Sequence, residues 1–262
     1  MTDRVEVTIA DHVAHVRMVR ADKRNGLDLP MFDALVDAGR RVRDDGNVRA
    51  VVLSGAGPAF CAGLDWQAFM VADAAARAKL LLRDDDSPAN LAQRACWIWA
   101  ELPIPVVAAV QGAAYGGGLQ LALAADVRLL AADAKLSAME IRYGIIPDMT
   151  ASQTLLRLVR PDLACELIYT GRVVEAEEAV RIGLGTRVCA DPLADALALA
   201  RTIAASSPDA IRAAKQLCQR APSMSTADAL HFETTLQLSL LGTPNQLEAV
   251  AATLQKRAAT FE

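Results

Sequence analysis

Glu140 and Asp148 stand in a stretch that is otherwise mostly apolar, Leu136-Ser-Ala-Met-Glu140-Ile-Arg-Tyr143-Gly-Ile-Ile-Pro147-Asp148. A carboxyl group drawn away from water keeps its proton to higher pH, which suits it to proton transfer near neutrality. A Gly-Ile-Ile-Pro turn separates the two acids, so both can face one cavity without sharing a helix face. The plainer alternative pairs Glu140 with Arg142 and makes Asp148 the cap of a helix that opens near Thr150. Two glycine-rich turns lie upstream, each after a buried-strand run: Gly55-Ala-Gly57-Pro58-Ala-Phe60-Cys61-Ala62-Gly63-Leu64-Asp65, and Gln111-Gly112-Ala-Ala-Tyr115-Gly116-Gly117-Gly118-Leu119-Gln120. Glycines at a helix start let a ligand approach the backbone, and the unpaired N–H groups there favour negative charge. One amide from each turn would form an oxyanion hole for an enolate or a tetrahedral intermediate. The alternative is a pair of tight strand-to-helix turns with no ligand. Neither turn fits the phosphate-loop or dinucleotide patterns, and no serine sits in a GxSxG elbow. His12, His15 and His231 lack metal-ligand spacing.

The elements that must position these groups read as an α/β fold. Val5, Val7 and Ile9 alternate with polar residues and Val13 to Val16 follow, which predicts a hairpin. A helix is expected after Asp28, with Pro30 in its first turn. Residues 49–54, 105–110 and 126–131 read as buried strands. From Pro192 the chain turns helical, with segments near 192–206, 208–220 and 225–260, the last broken at Gly242-Thr-Pro244. This divides the chain into an α/β core, 1–191, and a helical region, 192–262.

The 262 residues are 53% hydrophobic and carry a net charge of −4, which excludes disorder and offers no footprint for nucleic acid. Five scattered cysteines without CxxC spacing argue against a disulfide framework or a zinc site and for a reducing compartment, hence a cytoplasmic location. The start of the chain, from Met1-Thr2-Asp3, is charged and lacks an apolar leader-like run. The most apolar stretch, 106–125, holds Gln111, Gln120 and four glycines, so it reads as strand, turn and helix rather than a membrane span. Asp84-Asp85-Asp86 reads as a solvated loop.

Taken in order, these segments resemble the crotonase superfamily of enoyl-CoA hydratases and isomerases. The resemblance runs through Asn25-Gly26-Leu27, Ala59-Phe-Cys-Ala-Gly-Leu-Asp65, Pro105 to Gly112, Gly116-Gly-Gly118, Ala125-Asp126 and Glu140 to Pro147, then on to Leu167–Gly171, Ala179–Gly183 and Gln255-Lys256-Arg257. It implies a spiral of ββα units with a C-terminal helical region that forms trimers, often paired into hexamers. It also implies an acyl-CoA substrate, with no metal or nucleotide cofactor and no membrane partner. The oxyanion amides map onto Leu64 and Gly117. The CoA contacts map onto Asn25, Gly26, Phe60, Ala62 and Lys256, the lysine on the same or a neighbouring subunit. Trp66, Met31 and Met70 are candidates to shape the acyl pocket. Hydratases of the superfamily carry two glutamates; the later matches Glu140, but the earlier falls on Gln120, which exchanges no proton. Asp148, eight residues after Glu140, stands where hydratases have glycine. That pattern resembles the dienoyl-CoA isomerases, whose two carboxylates remove a proton at one carbon and return one at another. Double-bond isomerisation is therefore the expected chemistry, with hydration on one glutamate and binding without turnover as the alternatives.

Overall fold

The computed structural model describes residues 4–83 and 87–262. Met1-Thr2-Asp3 and Asp84-Asp85-Asp86 lie outside the described residues.

Nine strands among the described residues form two sheets. They are β1 (Val5–Ala10), β2 (Val13–Met18), β3 (Ala50–Gly55), β4 (Val106–Val110), β5 (Ala113–Tyr115), β6 (Val127–Ala131), β7 (Lys135–Ser137), β8 (Val174–Glu175) and β9 (Arg187–Cys189). The large sheet runs β1-β2-β3-β4-β6-β9, antiparallel only at the β1–β2 hairpin. The small sheet runs β5-β7-β8. β3 and β4 are buried along their whole length, as expected of central strands covered on both faces.

The chain winds between the two sheets as a spiral. β4, β5 and the helix Gly117–Leu123 make one ββα turn; β6, β7 and the 3-10 turn Met139–Tyr143 make the next. The turn before them has β3 in the large sheet and only Cys61 in the small one, bridged to Ala114. Ala114 in turn pairs with Leu136. Cys61, Ala114 and Leu136 thus lie side by side, one from each turn of the spiral. Three residues further along each turn stand Leu64, Gly117 and Met139, with Glu140 next to the last. The repeat of the fold gathers the expected site residues at one edge.

The helix Leu29–Asp44 begins where the sequence places it, its first-turn amide at Met31 donating to the Asp28 side chain. It buries Phe32, Leu35 and Val36 in the main core together with Trp99 from the helix Leu91–Glu101. The opposite face of the large sheet is covered by the helix Pro192–Ala204. Ala196, Ala200 and Ala204, spaced four apart, bring that helix close against Val52, Val107 and Leu129. Alanine at such contacts explains a large core with few aromatics. Beyond it lie the helices Pro208–Arg220, Thr226–Leu240 and Pro244–Gln255, the expected break falling at Gly242 and Thr243. Lys215 anchors the first of them, its buried Nζ donating to Ile104 O at 2.7 Å and lying 2.9 Å from Asp126 Oδ2. No helix among the described residues is long and apolar enough to cross a membrane.

Candidate active site

Gly63 and Gly116 shape the two loops. Gly63 has φ +85°, and a Cβ there would meet Tyr115 O at 2.5 Å. Gly116 has φ +53° and ψ −120°, a conformation that L side chains avoid. That close packing sets the 61–64 strand edge directly against 113–117. Tyr115 N–H donates to Cys61 O, and Leu27 N–H donates to Gly63 O, so the loop is hydrogen-bonded on both sides. The amides of Leu64 and Gly117 donate to no other group among the described residues. Both line one cavity of ≈ 50 Å³ with Ala62, Trp66, Tyr115, Met139, Glu140, Tyr143 and Ile145. Two free donors facing one cavity, one of them at the first residue of a helix, are an arrangement that can stabilise an oxyanion.

Glu140 is 7% exposed. Gln120 Nε2 donates to its Oε1 at 2.6 Å, while Ala151 N–H donates to Gln120 Oε1 at 3.2 Å. The backbone contact orients the amide so that its N–H group faces the carboxylate. Glu140 Oε2 is buried with no partner among the described residues. Burial raises the Glu140 pKa above the ordinary carboxylate range, and the charge of Asp148 adds to the rise. The two acids are therefore within electrostatic reach of each other. Asp148 is exposed and, against expectation, is not among the residues lining the cavity, yet the protein packed about it also raises its pKa through desolvation. Beyond it, Thr150 holds φ +83°, an uncommon conformation for a β-branched residue, and its buried hydroxyl has no partner among the described residues. The plainer alternatives for the acids do not hold. No ion pair joins Glu140 to Arg142 among the described residues, and the helix after Asp148 starts only at Leu155 with no side-chain cap.

The other sequence candidates divide. Trp66 lines the cavity, while Met31 is buried in the core and Met70 is 65% exposed. Asn25 is fully buried, and its side chain fastens the first glycine loop: Nδ2 donates to Ala56 O and Ala59 O, and Oδ1 accepts from Arg20 N–H. Its side chain is thus engaged within the chain. Phe60 is packed in the core, and the Gly26 and Ala62 amides donate to Lys23 O and Arg24 O. Lys256 is exposed at the end of the last helix and is not among the residues lining this cavity.

Sequence reasoning missed the ion-pair chain that holds the Leu64 loop. Arg20 pairs with Asp65 at 2.7 Å and with Asp28 at 3.4 Å, and Arg4 closes on Asp28 at 2.8 Å. Asp65 also caps the helix Trp66–Val71. Arg20→Met is expected to lower kcat about tenfold with a smaller change in KM, less than the loss of an oxyanion donor outright. Arg20→Lys should recover part of that loss, and an unchanged kcat in the methionine variant would show that the loop holds its place without the pair.

The sequence profile described as enoyl-CoA hydratase/isomerase matches residues 8–262. The chain belongs to the enoyl-CoA hydratase/isomerase family. It is 33% identical over 266 residues to the human mitochondrial Delta(3,5)-Delta(2,4)-dienoyl-CoA isomerase, covering 97% of this chain and 80% of that one. The crystal structure of an enoyl-CoA hydratase from Bacillus anthracis superimposes with a TM-score of 0.90 at 30% identity, covering 98% of each chain. An enoyl-CoA hydratase from Mycobacterium smegmatis gives 0.86 at 28% identity, again over 98% of each. The fold is the crotonase fold, and the chain is an enzyme of this family. Its relatives include both hydratases and isomerases.

Proposed function

We propose that this family member shifts a carbon–carbon double bond in an acyl-CoA thioester. The thioester carbonyl oxygen accepts hydrogen bonds from the Leu64 and Gly117 amides. One carboxylate removes a proton from the acyl chain, and the electron pair moves through the conjugated system onto that oxygen as a dienolate. The other acid delivers a proton at a different carbon, the pair returns, and the double bond is displaced with no net change in composition. Glu140 acts through Oε2, because Gln120 occupies Oε1. The chemistry asks for no metal or nucleotide cofactor, since CoA is part of the substrate.

The observation that carries this reading is the side-chain amide at position 120. Its N–H group faces Glu140 and its oxygen faces the Ala151 amide, so it supplies no second carboxylate for activating water. The second acid with a raised pKa is Asp148 instead. Incubating the enzyme with a panel of enoyl- and dienoyl-CoA esters in deuterated water tests this by mass spectrometry. Deuterium incorporation with a moved double bond is expected. A mass gain of one water would establish hydration, and tight binding with no product from any ester would establish a binding protein.

We further propose a homotrimer or hexamer assembled through the C-terminal helices, in a reducing, cytoplasmic setting that suits five unpaired cysteines. The helix Thr226–Leu240 buries none of its residues within the chain. Leu238 is 67% and Leu254 78% exposed, an apolar display typical of an interface. Leu238→Glu with Leu254→Glu is expected to reduce the mass seen by light scattering to that of smaller species. A native chain that is monomeric at micromolar concentration would refute the assembly.

A further inference from the structure

The cavity between the two free amides and Glu140 holds only ≈ 50 Å³, room for one or two water-sized groups. An acyl group entering it meets Trp66 and Tyr143, which line the same cavity with their rings stacked at 4.5 Å between centroids and planes 29° apart. We propose that the indole of Trp66, uncovered when Tyr143 gives way, is the specificity-determining element of the site, and that it selects acyl chains that are flat beyond the reacting carbons, above all those bearing an aryl group. The inference rests on the acyl-CoA reading but not on which reaction follows binding.

The two rings are held very differently. Trp66 opens a helix whose cap, Asp65, is ion-paired to Arg20, and its indole also meets Phe69 edge-on at 5.8 Å. Tyr143 is 51% exposed, ends a short 3-10 turn, and makes no side-chain hydrogen bond among the described residues. Gly144 follows it in a left-handed conformation with open space around it. Tyr143 is therefore the ring that moves, and Trp66 the platform that stays. A flat group sliding onto the indole takes the place of the phenol ring, so the indole remains stacked, now on the ligand. A saturated chain displaces the same ring and offers the indole only ordinary apolar contact in exchange. Met139 and Ile145 flank the slot, and Glu140 is the only charged residue among the described residues lining it. The slot is thus built for an uncharged chain.

Equilibrium titration with two inert saturated thioesters, phenylpropanoyl-CoA and nonanoyl-CoA, tests the proposal without requiring turnover. The native enzyme is expected to bind the aryl ester about threefold to tenfold more tightly, the range of one aromatic contact, with a change in indole emission. Trp66→Leu should bring the two affinities within about twofold, whereas Tyr143→Ala should keep the preference. Equal affinities in the native enzyme, or a preference that survives in Trp66→Leu, would overturn the proposal. CoA alone serves as the reference. If neither it nor either thioester binds the native chain, the acyl-CoA reading itself fails; if all bind but without preference, only the aromatic filter does.

Discussion

Glu140→Gln lowers turnover by about 10²-fold or more, the usual scale for losing a general acid or base, while acyl-CoA affinity is largely kept. Affinity is expected to persist because the proposed oxyanion contacts come from the Leu64 and Gly117 backbone, which the substitution does not touch. The same change makes the protein more stable above the ordinary carboxylate range. Burial holds the Glu140 pKa above that of the unfolded chain. Between the two values the folded form binds the extra proton, so stability falls as pH rises through the window and remains lower above it. Glutamine keeps an oxygen for the Gln120 N–H group and removes the charge. Thermal melts across pH should show this part of the decline missing in the variant, with Tm raised above the window by about 2–4 °C for each kcal/mol recovered. A variant that stays fully active would show that Glu140 is not the acid, and one whose melts follow the native pH dependence would show that its charge is not the source of the decline.

Asp148→Asn is expected to cost isomerisation about 10²-fold as well, again with affinity kept. The double variant should be little worse than the poorer single variant, because two acids that serve one proton shuttle act as a unit. Steady-state kcat values for the three proteins, with KM measured alongside, check this. If Asp148→Asn keeps native turnover while Glu140→Gln loses it, Asp148 is a bystander and the shuttle has another second member.

What could be read along the chain was local. Asp28 followed by Leu29-Pro30 marks a helix start by its own chemistry, and the apolar runs that became β3, β4 and β6 need no partner to be recognised as buried strands. The glycine turns and the apolar setting of Glu140 likewise carried their own signal. The contacts that make these residues a site join distant segments. Gln120 reaches Glu140 across successive turns of the spiral, and Arg20 reaches Asp65 across the helix Leu29–Asp44. Neither pair has a periodicity that could announce it. β5 and β7 were hidden for a different reason: at three residues each, within turns rich in small residues, they are too short to show alternation. Tyr143 escaped notice because one exposed aromatic has no distinguishing pattern until Trp66 is seen stacked on it. The leucines of Thr226–Leu240 spread around the helix without a clear apolar face, and the structure buries none of them within the chain.

The proposed isomerisation has Glu140 and Asp148 serve two different carbons of one substrate. Locating deuterium by NMR after incubating each single variant with each of the two double-bond isomers of an enoyl-CoA in deuterated water decides this. With one acid removed, the other can still take and return a proton at its own carbon in the isomer where that carbon is saturated, so each variant should exchange one position, in one of the two isomers, without moving the double bond. The exchanged position should differ between Glu140→Gln and Asp148→Asn. Exchange at the same carbon in both variants, or a double bond that still moves at the native rate in either, would show that the two acids do not divide the proton transfers between two carbons.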